Sequence, residues 1–435
     1  MKTLNQTLGF YTPAFFFIKI NTTSHVNLKS LPACEQATFV HEYTHFIQDF
    51  ATLYGLSNIY NLFDFLRLFV NQIYEKRKIH LPMNCSHPIL SLNSEIRNRS
   101  WGSNTSYDLV TSIRNERIVK SQFPDVVIKE HPELSNFRIV EMEIETSKKW
   151  IQIEFGSLAI IESMAHLMEK FLFPNNTTQS PDYPYNMANI LATHVCSQKI
   201  SDEMIFALCD ISLQTSIPGA AFLEMLQIIN NSAQISNADD VYNYFSKQFE
   251  VWNNYSNPKN IVYQAKDHLR SLIKGSIGNQ YQEWVDNILN KAINLRLSKP
   301  SFLLDIIRAG QFNSNTNFIR FVDEIGSPLI TNSLGEMTKI QTSSITYSPK
   351  SMDVEFFQAI NYIFSLLTEG RIECPLQSWC KASGIPTDQN CIINPPAHSD
   401  LTKYNEFCSV GALWHHWNLK KYKIKRSVLF RQICH

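Results

Sequence analysis

Apolar and polar positions recur along the chain with two different periods. Over residues 35–53, Phe39, His41, Glu42, His45, Phe46 and Asp49 fall at helical spacing, and over 57–77 so do Ile59, Leu62, Phe63, Phe65, Leu66 and Phe69. Both stretches are predicted helices. A short apolar run, Ala14-Phe15-Phe16-Phe17-Ile18, follows Pro13, is broken by Lys19 and predicts a buried strand over 14–20. Residues 80–135 are rich in Asn, Ser, Pro and charge and read as an irregular insertion. Alternation of period two then runs through Phe137, Ile139, Glu141, Glu143 and Glu145, and again through Ile151, Ile153 and Phe155 after a polar turn. That is a hairpin pattern. It leads into a predicted helix over 157–172, whose inward side carries Leu158, Ile161, Glu162, Ala165 and Met168. Helical periodicity dominates 186–310, a mixed and turn-rich stretch covers 311–350, and another helix is expected over 353–369. The pattern predicts a predominantly helical α+β chain. It divides into a domain over 1–235 and a mostly helical C-terminal region over 236–435 with a Cys-rich end.

Composition removes several classes. Hydrophobic residues make up 44% of 435, enough for a large core and against global disorder. Basic and acidic side chains number 39 each, so the net charge is zero, unlike a dedicated nucleic-acid binder that must replace phosphate counterions. Only 13 glycines occur, and neither GxGxxG nor GxxxxGK[ST] is present, which argues against a Rossmann or P-loop phosphate site. No apolar run approaches the ~20 residues of a spanning helix, and no export signal is read. Nine cysteines, an odd number thinly spread until the last quarter, fit a reducing cytoplasm better than a disulfide scaffold.

One segment carries chemistry: His41-Glu42-Tyr43-Thr44-His45 is an HExxH sequence inside a predicted helix. Two His four apart share one helix face, so both imidazoles can meet one cation. Glu42, one residue after the first His, is placed to reach a water on that cation as general base. A third ligand is needed, and Glu162 is the leading candidate, a carboxylate among small and apolar neighbours on its helix. His166, one turn later, is its rival or an outer partner, while Glu154 reads as an outward strand residue.

From His41 through Asp49-Phe50 the segment resembles the active-site helix of gluzincin metallopeptidases, above all the thermolysin-like pattern HExTHxxxD followed by an aromatic residue. The resemblance implies a zincin-like fold for 1–235, a Zn2+ cofactor, and Glu162 as ligand on a second helix. Asp49 and His166 would stand behind the ligands. In that family an acid follows the ligand Glu by four positions, where this chain has His166, and 116 residues separate His45 from Glu162, more than is usual. The family also uses a His or Tyr to stabilise the oxyanion. Candidates are His194, Tyr183 and Tyr185.

Two further features stand apart. Cys374, Cys380, Cys391 and Cys408 form a candidate structural metal set, with His398, His415 and His416 nearby, although the spacings are not those of a CxxC knuckle. The stretch His415 to Arg426 is basic and aromatic, a mix that suits phosphate backbones or anionic lipid as well as an ordinary solvated terminus.

The expectation is therefore a zinc-dependent endopeptidase acting on a protein or peptide, with a regulatory protein as a candidate partner and no nucleic acid. Two alternatives stay open. One is a bacterial effector or toxin protease directed at one host protein. The other is a non-catalytic interaction protein that zinc stabilises. An N-terminal strand edge would add an extended substrate as a further strand.

Overall fold

The computed structural model describes residues 8–28, 30–83, 100–102, 126–130, 138–145, 150–175, 180–232, 234–245, 278–338, 355–371, 373–400 and 408–426, with a few positions between 264 and 271. The chain is predominantly helical with small sheets. Strands β1 (Gly9–Thr12) and β2 (Phe17–Ile20) form an antiparallel pair. The expected strand over 14–20 is thus shorter. Ala14 and Phe16 take φ values of +61° and +51°, which bends the apolar run into a turn instead of extending it.

Helix α1 (Ala33–Ala51) follows, and every residue from Gln36 to Ala51 is buried. A helix apolar on one face only would stay at the surface; α1 is a central helix because its polar positions find partners inside. Thr52 ends α1 and starts α2 (Leu53–Lys76). Its hydroxyl donates to Gln48 O and accepts from Gly55 N, an N-cap that turns the chain within one residue.

Beyond α2 the region read as an irregular insertion contains strands β3 (Ile79–Leu81) and β4 (Val126–Glu130); much of the remainder lies outside the described residues. The hairpin is as expected. Strands β5 (Arg138–Glu145) and β6 (Trp150–Phe155) pair antiparallel, and β4 adds to β5 on the other side. Glu154 corrects the outward reading, being 3% exposed. Helix α3 (Ser157–Leu172) starts directly after β6 and packs along α1. Its buried positions are Ser157, Ala159, Ile160, Ser163, Met164, Ala165, Leu167, Met168 and Leu172, whereas Leu158, Ile161 and Glu162 are only partly buried.

Among the described residues, helices occupy most of 187–325, and the turn-rich stretch contains one more, Thr316–Ile325, than its composition suggested. Strands β7 (Leu329–Thr331) and β8 (Met337–Thr338) complete the first sheet in the order β1-β2-β7-β8, with β2 and β7 parallel. The helix Glu355–Glu369 matches expectation. The basic stretch ends in β9 (Ile424–Arg426), which pairs parallel with β3, and Trp417 and Leu419 are buried beside it. Segments on both sides of residue 235 therefore share two of the three sheets among the described residues, and one continuous apolar core runs through them. No helix among the described residues is long and apolar enough to cross a membrane.

Candidate metal centre

Helices α1 and α3 bring His41, His45 and Glu162 to one point. Their ligand atoms lie within 4.8 Å of one another. Nε2 of His41 is 3.1 Å and Nε2 of His45 is 3.6 Å from the same Glu162 oxygen, Oε2. Both imidazole rings are buried, and the Glu162 side chain keeps 21% of its exposure. The sequence spacing explains the first pair, since residues four apart stand one above the other on a helix. Glu162 arrives because α3 packs along α1.

The outer ring nitrogens are also held. His45 Nδ1 lies 2.9 Å from Gln48 Oε1, and Gln48 Nε2 donates to the carbonyl of Ile161 at 3.2 Å. That second bond orients the amide so that its oxygen faces His45, where Nδ1 can donate to it. His41 Nδ1 stands 3.5 Å from Glu169 Oε2, and Glu169 is 3.9 Å from His166 Nδ1. Glu169, one residue beyond α3's last Met, thus backs His41 in the way carboxylates back ligand imidazoles. Neither Gln48 nor Glu169 was singled out from sequence. Their signals were present: Gln48 is three positions after His45, and Glu169 is two turns after Glu162 on the same face.

The electrostatics fit a cation site. Burial pushes the Glu162 carboxyl up, but the imidazoles of His45 and His41 outweigh it and hold Glu162 well below the usual range. Burial lowers His41, while its bonds to Glu162 and Glu169 outweigh that and raise it well above the ordinary histidine value. Burial likewise pushes Glu169 up against His166 and His41, which bring it down to about 2. Positive charge is favoured at this point. Two imidazoles and a carboxylate converging there could hold a metal ion. Glu42, next to His41 and 7% exposed, has its carboxyl raised by burial, against the pull of His41 and His45.

The other expected site residues take other places. Asp49 accepts from Tyr11 OH and from Ala14 N, both at 2.6 Å. Burial pushes its carboxyl up to about 7 despite those two donors. Tyr11, one of its donors, stacks on His45 at 6.4 Å, and His45 itself acts on the Asp49 carboxyl. His166 stands behind Glu169 and 3.5 Å from Ser180 Oγ. His194 is exposed in the last turn of the helix Met187–Val195. Of the oxyanion candidates it is Tyr185 whose ring lies against His41, at 5.6 Å, and against His166, at 6.1 Å. Tyr183 is buried. No known protein family, curated protein or solved structure matches the chain.

Proposed function

We propose that the chain is a zinc-dependent peptidase of the gluzincin type that hydrolyses a peptide bond within a protein substrate. One observation carries the reading: two His and one Glu meet from separate helices with their ligand atoms within 4.8 Å of one another, and a buried carboxylate one residue from the first ligand stands beside them. His41, His45 and Glu162 would hold the ion. Bound there, Zn2+ supplies a Lewis acid for a carbonyl and lowers the pKa of water to about 7. Glu42 takes the proton of the attacking water and later returns it to the leaving amine. Gln48 and Glu169 keep the two imidazoles in the tautomer that leaves Nε2 free. Tyr185 is the nearest candidate to steady the oxyanion.

An extended substrate has an edge to add to. The expected docking strand, β2, lies inside the sheet between β1 and β7, and β1 is one of the sheet's two edge strands, β8 being the other. Gly9 of β1 passes close over α1: a Cβ there would lie 2.8 Å from Thr38 Cγ2 and 3.2 Å from Glu42 Cγ. A peptide paired to β1 would therefore run beside the Glu42 face, with main-chain hydrogen bonds giving affinity.

The test is a comparison of new protein termini in cells expressing the wild type and Glu42→Gln. Termini that depend on Glu42 are the expected result. Identical terminus profiles, with zinc present in both chains, would leave the metal a structural role.

A further inference from the structure

Two features that the sequence sets apart have no part in the proposed reaction. At the cysteine-rich end the fold gathers ligand atoms of Asp388, Cys391 and His398 within 4.8 Å of one another, without Cys374, Cys380 or Cys408. The basic and aromatic stretch gains more from the fold, because it meets a second basic segment at the end of α2. Tyr74 OH donates to Trp417 O at 2.5 Å, and the Tyr74 ring packs on that of Tyr422 at 6.3 Å. Just beyond, β3 and β9 pair in parallel, with Ile79 opposite Ile424 and His80 opposite Lys425. Ile79 is buried, so alternation turns His80 and Lys425 to the same outer face, where both are exposed.

The pairing joins two runs of positive charge. Lys76, Arg77 and Lys78 end α2 and lead into His80, and all four are exposed. On the other side Lys420, Lys421, Lys423 and Lys425 are exposed as well. Among the described residues no ion pair engages any of these side chains. Glu75 is the one carboxylate within residues 74–81 and 417–425. Glu369, on the helix packed against β3, is taken up by Arg371 at 2.6 Å. The chain as a whole carries 39 basic and 39 acidic side chains, so positive charge is segregated to this face of a neutral molecule. Such a concentration of one sign sets up a local potential of several kT.

We propose that this face is a docking surface for an anionic lipid bilayer. Six of its seven permanent cations are lysines, compact point charges that answer a diffuse negative surface. A nucleic-acid groove would instead favour forked guanidinium groups and free aromatic faces on which bases stack. Here the two tyrosines pack on each other, and Tyr74 keeps 39% exposure with its hydroxyl anchored on Trp417. An amphipathic ring of that kind suits the level of lipid headgroups. Attachment through such a face is peripheral and screened by salt. Each Lys or Arg near an anionic surface is worth about fivefold in partition. The face contains none of the His41 centre, so the inference stands apart from the proposed reaction.

Co-sedimentation of the full-length chain with vesicles tests this. At about 0.1 M salt the chain is expected to bind vesicles of phosphatidylcholine with about 30% phosphatidylserine, to ignore vesicles of phosphatidylcholine alone, and to be released at about 1 M salt. The triple variant Lys421→Gln, Lys423→Gln, Lys425→Gln should bind about 10²-fold more weakly, at about fivefold per charge. Lys76→Gln, Lys78→Gln should lose about 25-fold, which reads the second run. The variant Lys199→Gln, Lys299→Gln, Lys381→Gln removes three charges from exposed positions elsewhere and should bind like wild type. All the substituted side chains are exposed, so an unchanged Tm is expected throughout. Binding that is absent with phosphatidylserine, that does not need it, or that falls as far in the Lys199 variant as in the Lys421 variant overturns the proposal. So does release of the chain from vesicles by an oligonucleotide at a lower phosphate concentration than competing phosphatidylserine vesicles require, because the face would then be a nucleic-acid site.

Discussion

Gln48 serves both helices with one amide, accepting from His45 Nδ1 and donating to the carbonyl before Glu162. Removing it frees the His45 ring to rotate and to change tautomer, and loosens α1 from the start of the Glu162 turn. Loss of such an outer partner typically costs 10–100-fold in metal affinity. Gln48→Ala should therefore weaken zinc binding by about that factor in competition with a chromogenic chelator, and Glu169→Ala should do the same through His41; unchanged affinity in both would mean the imidazoles are oriented by packing alone. Glu42→Gln is the opposite case. The amide is nearly the same shape and cannot accept a proton, so zinc content should stay while turnover falls by about 10²–10⁴-fold. An active Glu42→Gln enzyme would move the base elsewhere.

At the level of elements, the centre depends on how β1, α1 and α3 are held. Asp49 is the clamp between β1 and α1, since Tyr11 OH and Ala14 N both end on its carboxylate. Asp49→Ala would leave two buried donors unsatisfied at about 1–3 kcal/mol each, so a loss of about 2–6 kcal/mol is expected in denaturant unfolding. The pH dependence has a definite sign. Asp49 is raised from 3.8 to about 7 in the fold, so its contribution is full below about pH 4 and is lost as pH rises through about 7. Wild type should accordingly lose stability relative to Asp49→Asn over that window; a difference that stays flat with pH would mean that Asp49 remains ionised throughout. Helix Thr316–Ile325 shows how an element can be legible yet overlooked. Phe318, Phe321, Val322 and Ile325 are at helical spacing and all buried, but the turn-forming residues around them masked a short repeat.

Across the whole molecule, the C-terminal half closes on the helix that bears the centre. Tyr43 OH of α1 donates to Gly326 O at 2.7 Å, and Arg296 Nε donates to Ala51 O at the end of α1. Arg296 also makes two bonds, of 2.7 and 2.8 Å, to Asp210, which is fully buried and accepts from Tyr242 OH as well. Arg296→Ala would strand that carboxylate and is expected to cost about 3–5 kcal/mol by chemical denaturation. A value near zero would show that water reaches Asp210. Metal adds a second global term. A ligand that binds only the native state at a hundred times its Kd stabilises by about 2.7 kcal/mol, so a chelator should lower Tm, and His41→Ala should shrink the effect.

What the sequence determined by itself was local. HExxH on a helix, the hairpin over 138–155, the helix carrying Glu162 and the predominance of helix all follow from spacing within a few turns, where the 3.6 and 2.0 periods act directly on which side chains share a face. The choice of Glu162 was already partly tertiary, because a carboxylate on an apolar face only hints at a partner. Which residues stand behind the ligands was decided by packing alone. Asp49 fits the family pattern, yet it was drawn to Tyr11 and Ala14, and Gln48 and Glu169 took the imidazoles instead. The same holds for β2, an interior strand only because β7 arrives from more than 300 residues away. The meeting of Asp388, Cys391 and His398, whose spacings match no standard knuckle, is likewise tertiary. Contacts of that range depend on how helices and sheets stack, and periodicity along the chain carries no record of the stacking.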